Sequence, residues 1–223
     1  MTAESAVLER LRQGLAELQI SADPEQLESL CILASELERW SRRMNLTAHR
    51  SAEEIVGNLI LGAAALGAQL PAIESLADIG SGAGFPGLPI AVLRRETRIT
   101  LVEPRERRHH FQRAAVRAMK LQNVKMLLGR AEDSALQRPH GAAIAQAVAR
   151  SDQALEWLEP WVAPDGFFLL PAAVESPPPN PEKGIVFNRL EYQVPCGGPS
   201  RTLWIGQRGP NVPRGTFAAE KKR

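Results

Sequence analysis

Three glycines at every second position, Gly80, Gly82 and Gly84, follow the apolar run Leu76-Ala77-Asp78-Ile79. They precede Phe85-Pro86-Gly87 and a helical stretch carried by Leu88, Ile90, Ala91, Val92 and Leu93. Glycine is needed where backbone must reach positive φ or lie against a ligand with no Cβ between them. The spacing therefore predicts a buried strand, a loop pressed against a cofactor, and a helix. Gly82-x-Gly84-x-x-Gly87 also fits the dinucleotide fingerprint, so the glycines alone leave two ligand classes open. Asp78, two residues before Gly80, bears on the choice. An acid at the strand end suits a ligand carrying positive charge, whereas a pyrophosphate prefers bare N–H groups and a helix N-terminus.

The acid-x-Gly-x-Gly-x-Gly form is the usual opening of S-adenosylmethionine (SAM) methyltransferases, and SAM, with its sulfonium and ammonium groups, is the expected cofactor. NAD is the alternative, and a turn without a ligand is a third reading. Two later acids add to the first. Glu103 closes the apolar run at 98–103, and Glu132 with Asp133 follows Gly129-Arg130-Ala131 after another run at 124–128. Ligands of open parallel sheets bind outside the carboxyl ends of the strands. Three consecutive strands would thus bring Asp78, Glu103 and Glu132 to one edge. There Glu103 is placed to accept two ribose hydroxyls, and Ala131-Glu132 to border an adenine. One acid at a strand end is commonplace; three in register behind a glycine loop are not.

The methyl acceptor is narrowed by what strand four lacks. Enzymes that methylate exocyclic amines usually carry an Asn/Asp-Pro-Pro-aromatic element there, but this chain has Ala145-Gln146-Ala147-Val148-Ala149-Arg150. Ser176-Pro177-Pro178-Pro179-Asn180-Pro181 falls after strand five and reads as a stiff connection. No cysteine stands at strand four or five to form an adduct with a pyrimidine carbon. What remains is an acceptor with a ready lone pair, such as a purine ring nitrogen, whose methylation needs in-line placement and no base. Gln146, Arg150 and Arg201 are the candidates for the transfer site. Cys31, Cys196 and the four histidines have no metal-ligand spacing, so no metal is expected. His109 and His110 read as solvent-facing imidazoles.

Positioning these residues takes a doubly wound sheet, and the alternation of strand and helix patterns from residue 73 onward has that form. Parallel strands are predicted at 75–79, 98–103, 124–128, 142–148 and 167–170. A closing hairpin at 184–194 and 202–207 turns at Cys196-Gly197-Gly198-Pro199. The expected fold is α/β: a Rossmann-like class I SAM methyltransferase with a mostly parallel seven-stranded sheet. A late hairpin matches that class better than dehydrogenases, which continue with parallel units. Before the sheet come helices. Leu8, Leu11, Leu15 and Leu18 recur at helical spacing. Asp23-Pro24 with Gln26 forms a capping box, and Ser51-x-x-Glu54 starts a helix that runs until Pro71. The expected organisation is a helical cap at 1–72, a SAM-binding domain at 73–208 and a basic tail at 209–223.

A content of 44% hydrophobic and 23% charged residues over 223 positions is ordinary for a soluble domain with a real core. No apolar run approaches the roughly 18 residues of a membrane span, and Glu4, Glu9, Arg10 and Arg12 occupy the place of a signal peptide. A cytoplasmic protein is expected. The net charge of +2 is mild, but its distribution is uneven. Arg94 and Arg95, then Arg105, Arg107, Arg108, Arg113, Arg117 and Lys120, then Lys221, Lys222 and Arg223 form basic clusters. A cationic rim beside a cofactor site suits nucleic-acid phosphates; a solvated helix face is the other reading.

Further elements carry a family likeness: Trp40-x-x-x-Met44-Asn45-Leu46-Thr47-Ala48, Asp78 through Pro89, Arg107-Arg108-x-x-Phe111, Asn123-Val124 and Gly129-Arg130-Ala131-Glu132. From Trp40 through Arg201 the chain resembles the bacterial 16S rRNA guanine-N7 methyltransferases, also called glucose-inhibited division protein B. The resemblance implies a SAM domain with a helical N-terminal cap. It implies direct methyl transfer to N7 of a guanine in the decoding region, with 16S rRNA or the small ribosomal subunit as partner. A monomer with neither metal nor membrane is expected beside it. The resemblance carries Gly80, Phe85, Ala131 and Glu132 into the SAM site, making the expected cofactor set Asp78, Gly80, Gly82, Gly84, Phe85, Glu103, Ala131, Glu132 and Gln146.

The chain departs from the family at several places. Ser-Arg-Ala after strand four is Ala145-Gln146-Ala147, Lys-Gly after strand five is Pro171-Ala172, and His-Leu-Leu-Asp-Ser is Asn58-Leu59-Ile60-Leu61-Gly62. Glu103 stands where aspartate is commoner. These changes remove charged groups and leave the cradle intact. Two other readings therefore stay open: a SAM-binding, ribosome-associated paralogue without methyl transfer, and an NAD-dependent oxidoreductase.

Overall fold

The computed structural model describes residues 3–146, 151–179 and 184–208. Apolar runs pair into one sheet of β1 (Ser75–Ile79), β2 (Arg98–Glu103), β3 (Val124–Leu128), β4 (His140–Ala145), β5 (Val162–Ala172), β6 (Ile185–Gln193) and β7 (Ser200–Arg208). The strand order is β3-β2-β1-β4-β5-β7-β6. Neighbours from β3 to β5 run parallel, and β7 runs antiparallel to both β5 and β6. The chain winds outward from β1 in one direction and resumes at β4 in the other. Between β1 and β4 lies the switch point where open sheets hold ligands.

The helices are α1 (Ala3–Glu17), α2 (Pro24–Ser41), α3 (Ala52–Ile55), α4 (Leu61–Ala68), α5 (Gly87–Leu93), α6 (Glu106–Ala118) and α7 (Ser151–Leu158). The capping box of α2 forms as predicted. Asp23 Oδ1 accepts from Gln26 N–H at 2.8 Å, and Gln26 Oε1 accepts from Asp23 N–H at 2.9 Å, an arrangement worth about 1 kcal/mol. Ser51 Oγ accepts from Glu54 N–H at 3.2 Å. Glu54 reaches one residue further back, accepting from Arg50 N–H at 2.7 Å. The helix expected from there to Pro71 is interrupted, because Val56–Ile60 forms a π-helical turn between α3 and α4. Apolar periodicity does not register one wide turn within a helix.

Alternate strand residues face two cores. Leu76, Ile99, Leu101, Ile144 and Leu169 pack with Leu11, Leu15, Leu30, Leu33, Leu37 and Phe111 from the N-terminal helices and α6. Ala77, Ile79, Val102, Ala143 and Phe168 pack with Leu155, Leu158 and Trp161 on the other face. The apolar faces of α1 and α2 therefore share a core with the sheet, across the expected boundary at residue 72.

The hairpin strands β6 and β7 lie within two residues of their predicted ends, and β4 and β5 differ more. β4 starts two residues early because His140 is anchored, its Nδ1 2.6 Å from the Arg138 carbonyl and its Nε2 2.9 Å from Thr100 Oγ1. It ends at Ala145, before the predicted limit of 148; residues 147 and 148 lie outside the described residues. β5 begins at Val162, ahead of the expected residue 167, because an irregularity in register between His140 and Ala142 lets Val162 pair with His140. Pro164 and Gly166 mask this stretch in the sequence. Arg150, Asn180, Pro181 and the tail at 209–223 lie outside the described residues. Among the described residues no helix is long and apolar enough to cross a membrane, and no cluster of three or more His, Cys, Asp or Glu could hold a metal ion.

Candidate active site

Strand register sets the order of side chains along the carboxyl edge. Ile79 pairs with Val102 on β2 and with Ala145 on β4, so the next residues, Glu103, Gly80 and Gln146, form a row across the three central strands. Neighbouring strands are about 4.8 Å apart. Leu128 flanks Glu103 on the outer side. Pro171 and Ala172 end β5 on the far side, where Ala172 pairs with Thr202. Arg201, exposed beside Thr202 at the start of β7, belongs to the same edge but is three strands from β1, roughly 14 Å at that spacing. The structure thus brings Gly80, Glu103 and Gln146 together and leaves Arg201 apart.

The glycine loop is held from beneath. Gly80 and Ser81 N–H both donate to the Val102 carbonyl, at 2.9 and 3.1 Å, and Gly84 N–H donates to the Ser81 carbonyl at 2.7 Å. Gly82 and Gly84 take φ of +59° and +83°, left-handed conformations that other residues adopt at a cost. Their surroundings differ. A Cβ on Gly84 would lie 2.4 Å from Leu88 Cδ1, while one on Gly82 would meet nothing closer than Arg108 Nη1 at 3.6 Å. Gly84 is therefore closed in by Leu88, whereas Gly82 has room for a Cβ in ordinary contact with the Arg108 guanidinium. Gly84→Ala is expected to lower unfolding free energy by about 2–4 kcal/mol, measured by urea denaturation. Gly82→Ala should cost about 1 kcal/mol while weakening cofactor binding more than Gly84→Ala does relative to the stability lost.

The acids fall into different environments, and the expectation of three acids presented alike at one edge is corrected. Asp78 is 1% exposed, and its Oδ2 accepts from Gly87 N–H at 2.9 Å, nine residues along the chain. It sits under the loop and braces it. Burial pushes its carboxyl up to about 7; the Gly87 bond opposes that shift and the Glu103 charge adds to it. Glu103, 2% exposed, spans from β2 to the loop: Oε2 accepts from Gly82 N–H and Oε1 from Arg105 N–H, both at 2.8 Å. Glu132 is exposed. Ala131 before it is buried, and its carbonyl accepts from Trp161 Nε1 and Gln137 Nε2, both at 3.0 Å. Phe85 is half-buried at the loop's end, its N–H donating to the Ser81 carbonyl at 3.0 Å.

Sequence reasoning missed Gln112. It is 0% exposed, and its Nε2 donates to Ser81 Oγ and to the Gly82 carbonyl, both at 2.8 Å, while its Oε1 has no hydrogen-bond partner. A glutamine among the core positions of an amphipathic helix was the available signal. His109 also differs from the solvent-facing reading: its Nδ1 is buried without a partner, and burial, with Arg113 and His110 nearby, lowers its pKa. His110 is exposed, 3.7 Å from Glu106. Arg94 and Arg95 do not belong to the rim. Arg94 Nη2 donates to the Pro71 carbonyl at 3.2 Å, and Arg95 pairs with Asp23 and Glu25, all at the amino edge of the sheet.

The site fits SAM on its donor set. A carboxylate has about four acceptor positions, and Glu103 has committed two to backbone N–H groups, which leaves two for a diol. Over Gly82 stands only the end of the Arg108 side chain, 3.6 Å from where a Cβ would lie, and an orphaned amide oxygen, Gln112 Oε1, is buried beside the loop.

A sheet with one antiparallel strand slotted between β5 and β6, and a glycine loop leaving β1 above an acid at the end of β2, defines the class I methyltransferase fold. A methyltransferase from Geobacter sulfurreducens shares it, with a TM-score of 0.54 and 15% identity over 85% of this chain and 92% of that one. Within this class, residues 26–174 match the family described as rRNA small subunit methyltransferase G. The ribosomal RNA small subunit methyltransferase G of Dichelobacter nodosus is 31% identical over 200 residues, spanning 90% of this chain and 95% of that protein. The protein of the same name from Dictyoglomus thermophilum is 32% identical over 167 residues, 71% of this chain and 69% of its own length. The chain belongs to this family.

Proposed function

We propose that this chain transfers a methyl group from SAM to N7 of a guanine in 16S rRNA, with Gly80, Gly82, Gly84, Phe85, Glu103, Ala131, Glu132 and Gln146 around the cofactor and Asp78 beneath it. The observation that carries the reading is the row of Glu103, Gly80 and Gln146 at the switch point of a chain in this family. When bound, SAM supplies an electrophilic methyl group on a sulfonium. Guanine N7 offers an in-plane lone pair and no proton, so no side chain has to act as a base. The protein's task is placement, which by itself accounts for large rate factors. Glu103 fixes the ribose end, and the loop braced by Asp78 and Gln112 fixes the donor against the edge where Gln146 stands.

The test uses small subunits from a strain lacking the modification, SAM labelled in its methyl group, and mass spectrometry of the digested rRNA. Labelled 7-methylguanine at one position is the expected result. Binding of SAM without any methylated nucleoside would favour the second reading, a non-transferring ribosome-associated paralogue. That reading draws on the departures at the edge, Gln146 and Pro171 where the family carries arginine and lysine, and on Asn58 in the π-helical turn, whose Nδ2 is spent on the Glu54 carbonyl at 2.9 Å. In that case Gln146→Arg is expected to restore turnover.

A further inference from the structure

We propose that the outer face of α6 and the groove between it and α2 form the track for the RNA backbone, a surface distinct from the cofactor site. The inference rests on the rRNA reading above. His110, Arg113 and Arg117 follow one another at intervals of three and four residues, which places them on one face of α6, and Lys120 stands just past its end. Phe111, Gln112, Ala115 and Val116 take the opposite, buried face. Arg113, Arg117 and Lys120 are exposed, and among the described residues none of them has an ion-pair partner. They line a groove of about 680 Å³, whose other wall includes Trp40 at the end of α2.

Charge and shape both point to nucleic acid. The acids nearest the groove are engaged: Glu36 with Arg39 at 2.6 Å and with Trp40 Nε1 at 3.2 Å, and Glu106 with His110 at 3.7 Å. Trp40 stands edge-on to Phe111, ring centroids 5.8 Å apart, which fixes a partly exposed indole beside the cations. Cations in a row with an aromatic face at one wall are what a phosphodiester strand with unstacked bases requires. Toward the amino edge the adjoining groove carries Glu25 and Glu28 together with Arg95 and Lys120, and Arg95 pairs with Glu25 at 3.3 Å, so the unpaired cations stop there. At the other end α6 starts at Glu106, just past Glu103, and Arg108 Nη1 lies over Gly82. The favourable path therefore leads toward the methyl-transfer edge.

The test compares wild type, Arg113→Gln/Arg117→Gln, and a control of equal charge, Arg138→Gln/Arg189→Gln. The control residues lie outside the groove, Arg138 in the loop before β4 at the amino edge and Arg189 on β6 at the far border of the sheet. Affinity for protein-free 16S rRNA is measured by filter binding between 50 and 200 mM salt. SAM affinity and the melting temperature are measured on the same preparations. The groove variant is expected to bind RNA about 10- to 100-fold more weakly, with its salt slope reduced by about 2. The control should stay within threefold, and SAM binding should be unchanged in all three. Wild-type affinity and slope in the groove variant would overturn the inference while leaving the methyltransferase reading intact. Equal losses in both variants would overturn it too, by assigning the effect to net charge. Loss of binding to vesicles of anionic lipid with RNA binding retained would assign the face to membranes. Absence of RNA binding by wild type would overturn this track, while the rRNA reading would still be decided by methylation of small subunits.

Discussion

Glu103→Ala is expected to raise the dissociation constant for SAM about a hundredfold and to remove methyl transfer with it. In the folded chain this carboxylate does two jobs. Its oxygens accept from Gly82 N–H and Arg105 N–H at 2.8 Å, tying the glycine loop and the start of α6 to the end of β2. Its remaining acceptor positions are the ones a ribose diol would use. A hydrogen bond to a charged partner contributes about 1.5–3 kcal/mol, so two such bonds, less what water regains, make a hundredfold loss reasonable. Glu103→Gln disturbs both jobs. An amide offers one oxygen, and its NH2 must face one of the two backbone donors, so this variant is expected to lose stability as well as affinity. Calorimetric titration of SAM and thermal unfolding without cofactor report the two effects separately. An alanine variant that binds SAM within threefold of wild type would show that this acid serves the loop alone.

The local signals in the chain were legible. The glycine spacing, the Asp23 and Ser51 caps and the apolar runs of the strands each depend on residues a few positions apart, and each forms close to where it was predicted. What could not be read depends on contacts between distant residues. The Asp78 carboxylate is aimed inward because Gly87 N–H waits nine residues later, across the loop. Glu103 reaches back 21 residues to Gly82, and Gln112 reaches back 30. Strand register then decides that Gln146 stands beside Gly80 while Arg201, at the start of β7, does not. The cationic stretch of α6 was visible as composition, but its separation from Arg94 and Arg95 came from the path of the chain to the opposite edge of the sheet.

The raised carboxyl of Asp78 makes both folding and cofactor binding depend on pH. Burial disfavours the ionised form and sets the folded value at about 7 from an ordinary 3.8. The folded chain therefore holds this proton more tightly than the unfolded chain does. Its contribution to stability is fully present below about pH 4 and is lost as pH rises through about 7, by roughly 2–4 kcal/mol. Asp78→Asn keeps an oxygen for Gly87 N–H and has no charge to bury, so its stability should not fall across that window, and it should exceed wild type at pH 8. A cationic donor bound above the loop reverses the preference, because it favours the ionised form. SAM affinity in wild type should then rise with pH between about 5 and 7, by no more than about tenfold for each step of one in pH, and level off above it. The Asn variant should show a flat profile and weaker binding at pH 8. Titration calorimetry in buffers of different ionisation enthalpy would detect the proton released on binding at pH 6, and a wild-type affinity equal at pH 5.5 and 8 would exclude Asp78 as a partner of the donor's charge.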